Sequence, residues 1–283
     1  MRLKIACRKA CGFKSHPGHS MAKQRLPEKE FLWTPQLSYV VGLLVTDGNL
    51  SKDGRHITMR STDVQLLKTF KECLNISTAI RYTPDHQNDG YKRKRAYRVQ
   101  PSMAQFYRWL LTIGLFPAKT YTIGAIAVPG EYFRDFLRGH LDGDGSVVGY
   151  TDRYNTYKNP KYVYTRIWLK FISASATHIQ WLRSRILQLT RISGHLWEDK
   201  SMRPGKTANM WSLKFGKEES MALLSWMYYD TNLPCLQRKR KKVEKLLRKE
   251  QHTQQLMTLP NHHQGRPRIR YEPILSQKPM VEK

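Results

Sequence analysis

The chain shows little hydrophobic periodicity over residues 1–30, and regular patterning begins at Thr34-Pro35. A threonine hydroxyl can accept from the orphan amides of a helix start, and proline suits the first helical position because its missing donor is not needed there. Leu37, Val40, Val41 and Leu44 then recur at helical spacing, and Gly48 offers a flexible exit. Beyond it the period changes to two. Leu50, a turn over 51–54 and the run 56–61 read as a hairpin, with Ile57 and Met59 inward and Thr58 and Arg60 outward. An amphipathic helix follows over about 63–74. A second hairpin spans about 79–100 around the polar loop 85–90. If Tyr97 and Val99 face the core there, Lys92, Lys94, Arg98 and Gln100 line the opposite face, because strand side chains alternate. Ser102 is placed to cap a helix from Met103 to about Ile113.

The same order recurs after Pro129. A helix over 131–141 leads into strands around 146–150 and 162–172, then a helix over 176–189. A hairpin over 194–215 turns near Arg203-Pro204-Gly205, and helices follow over 218–229 and from about Arg238. An internal repeat of one domain length accounts for this better than unrelated segments. The reading is an α+β fold with halves at 31–128 and 129–250. A basic tail or small knuckle (1–30) precedes them, and a basic tail rich in Gln, His, Pro and Arg (251–283), which reads as disordered, follows.

Each half opens with a version of one short pattern, VVGLLVTDG at 40–48 and LRGHLDGDG at 137–145. Both place a small residue, Gly42 or Gly139, five positions before a carboxylate, Asp47 or Asp144. A glycine in an otherwise apolar helix lets a partner backbone approach closely. An aspartate at a helix C-terminus sits where the macrodipole is already negative, which costs roughly 0.3–1 kcal/mol unless a cation is bound there. The arrangement points to paired metal carboxylates. Asp-Gly is also an ordinary turn pair, but its duplication at matching places in two halves weighs against a mere turn.

On these residues the sequence resembles the LAGLIDADG homing endonucleases of the single-chain, two-motif type, over roughly residues 31–250. It departs from the pattern at Val45, where the first copy lacks the earlier acid, and at Arg138 and His140, where small and apolar residues are usual. The resemblance implies two pseudo-symmetric αββαββα halves forming a saddle of antiparallel sheets, with the motif helices paired at the centre through Gly42 and Gly139. It implies that Asp47 and Asp144 bind Mg²⁺, with Mn²⁺ able to substitute, beneath the minor groove, each acid serving one strand. A basic residue near each acid corresponds to Lys119 in the first half and Lys239 in the second, where Arg238 and Arg240 compete for the position. A polar side chain at the end of the second strand corresponds to Thr62 and Ala174, so the half-sites would be chemically unequal. Asp142 occupies the earlier acid position of the second copy and is given no metal role, because Val45 stands in the equivalent place.

Composition adds a partner. The chain carries 49 Lys+Arg against 22 Asp+Glu, a formal net charge of +27, which favours a polyanion such as nucleic acid. With 40% hydrophobic and 11% aromatic residues the chain can bury a sizeable core, which excludes disorder throughout. No stretch approaches the roughly 18 uninterrupted apolar residues of a membrane span, and no secretory h-region is expected from the pattern. Four cysteines do not form a disulfide framework in a chain this long, so an intracellular, reducing setting is expected, in the cytoplasm or nucleoid, with an organelle as the alternative.

The outward strand faces supply candidates for reading duplex DNA in the major groove. They are Arg60, Lys92, Lys94, Arg98 and Gln100 in the first half, and Arg166, Lys170, Ser212 and Lys214 in the second. Cys7, Cys11, His16 and His19 are of zinc-ligand type, but their spacing is shorter than that of familiar fingers, and a plain basic arm is the competing reading. The leading expectation is a monomeric, sequence-specific, Mg²⁺-dependent double-strand DNA endonuclease acting on a long pseudo-symmetric site. An intron RNA-splicing maturase and a non-catalytic DNA-binding regulator are the alternatives.

Overall fold

A helix cap opens the first half, and a 3-10 turn over Gly130–Tyr132 leads into the second without a side-chain cap. The computed structural model describes residues 31–84, 94–199 and 209–257. Thr34 accepts from the Leu37 amide at 3.0 Å and opens helix α1 (Pro35–Thr46), with Pro35 at its first turn. Strands β1 (Gly48–Leu50) and β2 (Ile57–Ser61), helix α2 (Val64–Leu74), strands β3 (Arg81–Thr83) and β4 (Ala96–Val99) and helix α3 (Ala104–Thr112) complete the first half. The second half repeats the order with α4 (Phe133–Gly143), β5 (Ser146–Asp152), β6 (Tyr164–Ser173), α5 (Ala176–Thr190), β7 (His195–Asp199), β8 (Met210–Phe215) and α6 (Lys217–Met227), and a long helix α7 (Gln237–Met257) follows. Helix α7 thus continues beyond residue 250, where the basic tail was expected to begin.

The strands form two four-stranded antiparallel sheets in matching orders, β1-β2-β4-β3 and β5-β6-β8-β7. The fold is α+β and repeats itself. Inward positions alternate as the strand period requires: Ile57, Met59 and Val99 in the first sheet and Ile167, Leu169, Phe171, Leu213 and Phe215 in the second are all buried. Helices pack on those faces. Leu246 of α7 closes on Gly149 of β5, where an added Cβ would stand 2.4 Å from its Cδ2. No helix among the described residues is long and apolar enough to cross a membrane.

Helices α1 and α4 pack backbone against backbone. A Cβ on Gly42 would stand 2.1 Å from the Phe136 carbonyl oxygen, and one on Gly139 would stand 2.1 Å from that of Tyr39. Ser38 Oγ adds a 2.8 Å bond to the Tyr132 carbonyl oxygen at the start of α4. The motif helices therefore lie at the junction of the halves, and both terminal aspartates reach the same end of the pair.

Two local expectations differ from what forms. Ser102 does not cap α3: Met103 occupies the N-cap without a side-chain bond, and Ser102 instead bridges to His56 beside the first sheet. Gly48 has no left-handed backbone and is the first residue of β1; a side chain there would meet Leu44 Cα at 2.5 Å, so the constraint is space.

Candidate nuclease centre and nucleic-acid face

Asp47 and Asp144 each occupy the C-cap of a motif helix, both in right-handed backbone, immediately before the strand that leads out of it. Behind each helix end lies a buried lysine. Lys119, on the turn after α3, sends Nζ to the Gly48 carbonyl oxygen at 2.5 Å. Lys239, in the first turn of α7, reaches the carbonyl oxygens of Leu141 at 2.5 Å, Asp142 at 2.9 Å, Gly143 at 3.3 Å and Gly145 at 2.7 Å. The carbonyls of Leu141, Asp142 and Gly143 are orphan acceptors of the α4 C-terminus, while those of Gly48 and Gly145 lie just past the helix caps; in either case the cation meets the negative end of a helix dipole. Of the three cations competing for the second-half position, Lys239 is the one on the α4 carbonyls; Arg238 pairs with Asp63 and Arg240 with Glu244.

The four groups share one electrostatic environment. Burial, and then the charge of Asp144, push the Asp47 carboxyl up to about 6, against the opposing pull of Lys239 and Lys119. Burial raises the Asp144 carboxyl as well, opposed by the same two lysines. Lys119 is lowered to about 8 by burial, with Asp144 and Asp47 acting in the other direction. Lys239 is lowered by burial while Asp142, Asp47 and Asp144 favour its charged form.

Asp142 has a structural position. Its Oδ2 accepts from the Tyr39 hydroxyl at 2.9 Å and the Leu236 amide at 2.7 Å, which ties α4 to α1 and to the entry of α7. Arg138 and His140 are explained by burial too. The Arg138 guanidinium, fully buried, pairs with Asp135 at 2.6 Å and donates to the carbonyl oxygens of Met227 and Pro234. His140 stacks on His178 with ring centroids 5.4 Å apart, and His178 donates from Nδ1 to the Gly124 carbonyl oxygen at 2.8 Å. Burial keeps both imidazoles neutral, His178 at about 4 and His140 well below its ordinary value.

Thr62 and Ala174 each follow the last residue of a central strand, and Ser61 and Ser173 ahead of them accept from the amides of Asp63 and Ser175, both at 3.1 Å. Thr62 lines an open cleft of about 420 Å³ beside Asp47, with Arg60, Asp63, Lys94 and Arg238 on the same wall. Lys94 therefore belongs to this cleft, ahead of β4 and not on the strand.

The sheet faces differ. In the first sheet, Arg60 of β2 stands opposite Arg98 of β4, which in turn stands opposite Arg81 of β3, and all three are exposed. Like charges directly opposite are destabilising in an isolated sheet, so the row fits an anionic partner. Arg81 was not among the candidates, because alternation gives the face of a strand but not the register that sets Arg81 across from Arg98. Gln100 is exposed just past β4. Lys92 lies outside the described residues, as do Cys7, Cys11, His16 and His19.

In the second sheet Lys170 stands opposite Lys214, and both carry aromatic partners: Lys214 Nζ lies 4.3 Å from the Trp168 ring and Lys170 Nζ 5.3 Å from that of Trp197. Lys170 also meets Asp199, and Arg166 pairs with Asp152 at 3.0 Å. Ser212 does not offer an exposed hydroxyl for base reading. It is fully buried between Ile172 and Trp197 on the flanking strands and donates to Asp199.

No family model and no curated protein sequence matches the chain. Solved structures do. The LAGLIDADG meganuclease I-AabMI bound to uncleaved DNA matches with a TM-score of 0.51 at 11% identity, covering 79% of this chain and 92% of that one. The meganuclease I-SmaMI bound to uncleavable DNA matches with a TM-score of 0.51 at 10% identity, over 80% and 93%. Full-length DUF199/WhiA from Thermatoga maritima matches at 0.44 and 12% identity over 79% of this chain, which spans 65% of that protein's length. At such identities the likeness is one of fold, and the chain has the twice-repeated α+β architecture of the LAGLIDADG meganuclease structures.

Proposed function

We propose that this chain is a double-strand DNA endonuclease that uses Mg²⁺, with Mn²⁺ able to substitute, to hydrolyse phosphodiester bonds across the minor groove of a long pseudo-symmetric site. The observation that carries the reading is the placement of Asp47 and Asp144 at the paired C-termini of α1 and α4, with Lys119 and Lys239 behind them. Two acids at helix C-termini in a partly desolvated site are unfavourable without a cation, which the rise of Asp47 to about 6 expresses. Hard carboxylate oxygens beside an open cleft fit Mg²⁺, which is commonly held by one or two carboxylates, waters and substrate phosphate. When bound, the ion supplies charge neutralisation on the phosphoryl oxygens and acidifies bound water.

The remaining work falls to the chain. Lys119 and Lys239 fix the helix ends that carry the acids, and Lys119, held near 8, is close enough to neutral pH to exchange a proton at Nζ. Thr62 gives the first half-site a hydroxyl that Ala174 denies the second. The arginine row and the lysine-aromatic face are suited to duplex DNA, which the meganucleases of this fold are solved with.

A library of randomised targets, incubated with the protein in Mg²⁺ or in chelator, tests the reading. Wild type is expected to cut a defined subset in Mg²⁺ only. Asp47→Asn and Asp144→Asn are each expected to lower double-strand cleavage at least about a hundredfold with DNA affinity nearly unchanged, since only charge stabilisation during reaction is lost. Cleavage that survives both substitutions together would remove the assignment. Tight DNA binding by wild type with no cleavage of any target would replace it with a non-catalytic DNA-binding role.

A further inference from the structure

The two halves diverge most in the connection that follows the first strand of each sheet. In the first half, residues 51–56 turn tightly between β1 and β2 and contain no Phe, Tyr or Trp. In the second half the matching connection, 153–163, is longer, and with its flanking strand ends it carries Tyr150, Tyr154, Tyr157, Tyr162 and Tyr164, five of the chain's 15 tyrosines. All five are turned to solvent, from 41% exposed at Tyr162 to 80% at Tyr154. Arg153, Lys158 and Lys161 stand among them, while Asp152, the one acid of the stretch, is taken by Arg166.

The loop holds its own shape. Asp152 Oδ1 accepts from the Tyr154 amide at 2.9 Å, Thr156 Oγ1 donates to the Arg153 carbonyl oxygen at 2.8 Å, and Asn159 Oδ1 accepts from the Lys161 amide at 2.9 Å. A short 3-10 turn over Tyr154–Tyr157 sets two of the rings edge to face, 6.3 Å apart, and Tyr162 and Tyr164 lie nearly parallel at 6.2 Å. Aromatic surface kept in water on an ordered scaffold, rather than folded into the core, marks a contact surface.

We infer that this loop is a binding platform for unpaired nucleobases in single-stranded nucleic acid, continuing from the outward face of the second sheet, where Tyr150 stands opposite Arg166 and Arg166 lies over the Tyr164 ring. The cations among the rings set the partner as a polyanion, and the rings set its form. Base faces in a duplex are occupied by neighbouring bases, so a tyrosine face gains stacking only from a base outside the stack, whereas phosphates of a duplex need cations alone. Stacking tolerates any base, so the platform would discriminate between paired and unpaired strands and not among sequences. It would hold a single-stranded region of RNA or DNA while the arginine row of the other half is free. The inference does not depend on Asp47 or Asp144, and its failure would leave the nuclease reading untouched.

The experiment uses the full chain in chelator, so that no cleavage intervenes, with a 15-nucleotide oligouridylate and a duplex of equal length as probes at one salt concentration. The double variant Tyr154→Ala/Tyr157→Ala is expected to lose about tenfold or more in affinity for the single strand. Its duplex affinity and melting temperature should stay close to wild type. Tyr154→Phe/Tyr157→Phe should retain single-strand binding, because the ring faces remain. Equal losses on both probes would assign these residues to phosphate contact, and an unchanged single-strand affinity would leave the loop to a protein partner; either result overturns the inference.

Discussion

Helices α1 and α4 perform one architectural task with opposite chemistry. With Gly42 matched to Gly139, the α1 residues Ser38, Val41, Leu43 and Val45 correspond to Asp135, Arg138, His140 and Asp142 of α4. All eight are buried. In the first half the surroundings of the glycine contact are almost wholly apolar. In the second they are an ion pair, a stacked histidine pair and a bridging carboxylate. What the halves share is therefore narrow: a glycine where backbones touch, an acid at the helix end, a lysine on the carbonyls behind it and a serine that turns the strand into the next helix. The fold tolerates either an apolar or a largely hydrogen-bonded packing around that shared frame, with His140 Nδ1 and Asp142 Oδ1 left as buried polar atoms without a partner in the second half.

The largest stability difference should follow from breaking the ion pair. Arg138→Met leaves Asp135 buried without its cation and should destabilise by about 3–5 kcal/mol, whereas Arg138→Met combined with Asp135→Leu should recover much of that loss. Val41→Leu at the matching first-half position should cost less than Arg138→Met. Thermal denaturation of the four proteins checks this. If the double variant is as unstable as Arg138→Met, the two residues do not form the coupled unit described here.

The glycines should answer alike in both halves. An alanine at 42 or 139 would place Cβ 2.1 Å from a backbone carbonyl oxygen, which no rotamer change can relieve. Each substitution should cost about 3 kcal/mol, the upper part of the range for overpacking, because the helices must move apart. Cleavage should fall with stability, since the two acids ride on those helices. A melting temperature unchanged for one glycine but not the other would show that the close approach is not shared.

These features were unequally legible in the sequence. The glycine and aspartate of each motif, and the strand periods after them, stand out because backbone contact and burial restrict residue type within a few positions. Lys119 and Lys239 were found only by family resemblance, since their partners are carbonyls 71 and 94 residues away in sequence. Arg138 and His140 read as departures because their partners, Asp135 aside, come from α5, the end of α6 and the loop before α7. Ser212 was misplaced for a related reason: alternation gives the face of a sheet, but not how neighbours such as Trp197 cover it. The tyrosine loop was passed over because no periodicity marks it.

Acid should act on the second half first. His140 and His178 are neutral when buried, and an unfolded histidine titrates near 6.5. Folded values below that mean the unfolded state binds more protons between pH 6.5 and about 4, so stability is complete above 6.5 and falls as pH drops through this window. The loss for His178 alone is on the order of 3 kcal/mol. Leu43 and Leu66 hold the matching first-half positions and do not titrate. Asp47, raised to about 6, and Asp144 and Asp142, also raised by burial, work in the opposite direction, so the comparison belongs in an Asp47→Asn/Asp144→Asn background and reads the histidine loss net of Asp142. Amide exchange at pH 7 and 4.5 should show protection lost in α4 and α5 before α1 and α2. Equal loss in both halves would detach the effect from the histidine pair.

The smallest and most discriminating effects lie on the sheets. Arg98 has like charges on both sides, Arg60 and Arg81, so Arg98→Ala should leave the free protein as stable as before or slightly more so. Its binding to the preferred duplex should weaken by about 1–3 kcal/mol with relaxed preference at one base pair, as for loss of a bidentate contact. Lys214 is held over Trp168, so Lys214→Ala should instead cost roughly 0.5–1 kcal/mol of stability. It should also weaken all duplexes alike and reduce the dependence of binding on salt, if its charge acts on phosphate. Melting curves and binding titrations at several salt concentrations, on the preferred and a scrambled duplex, separate the two faces. Sequence-independent loss for Arg98→Ala would make the arginine row a phosphate contact, and the two sheets would then differ only in how their cations are held.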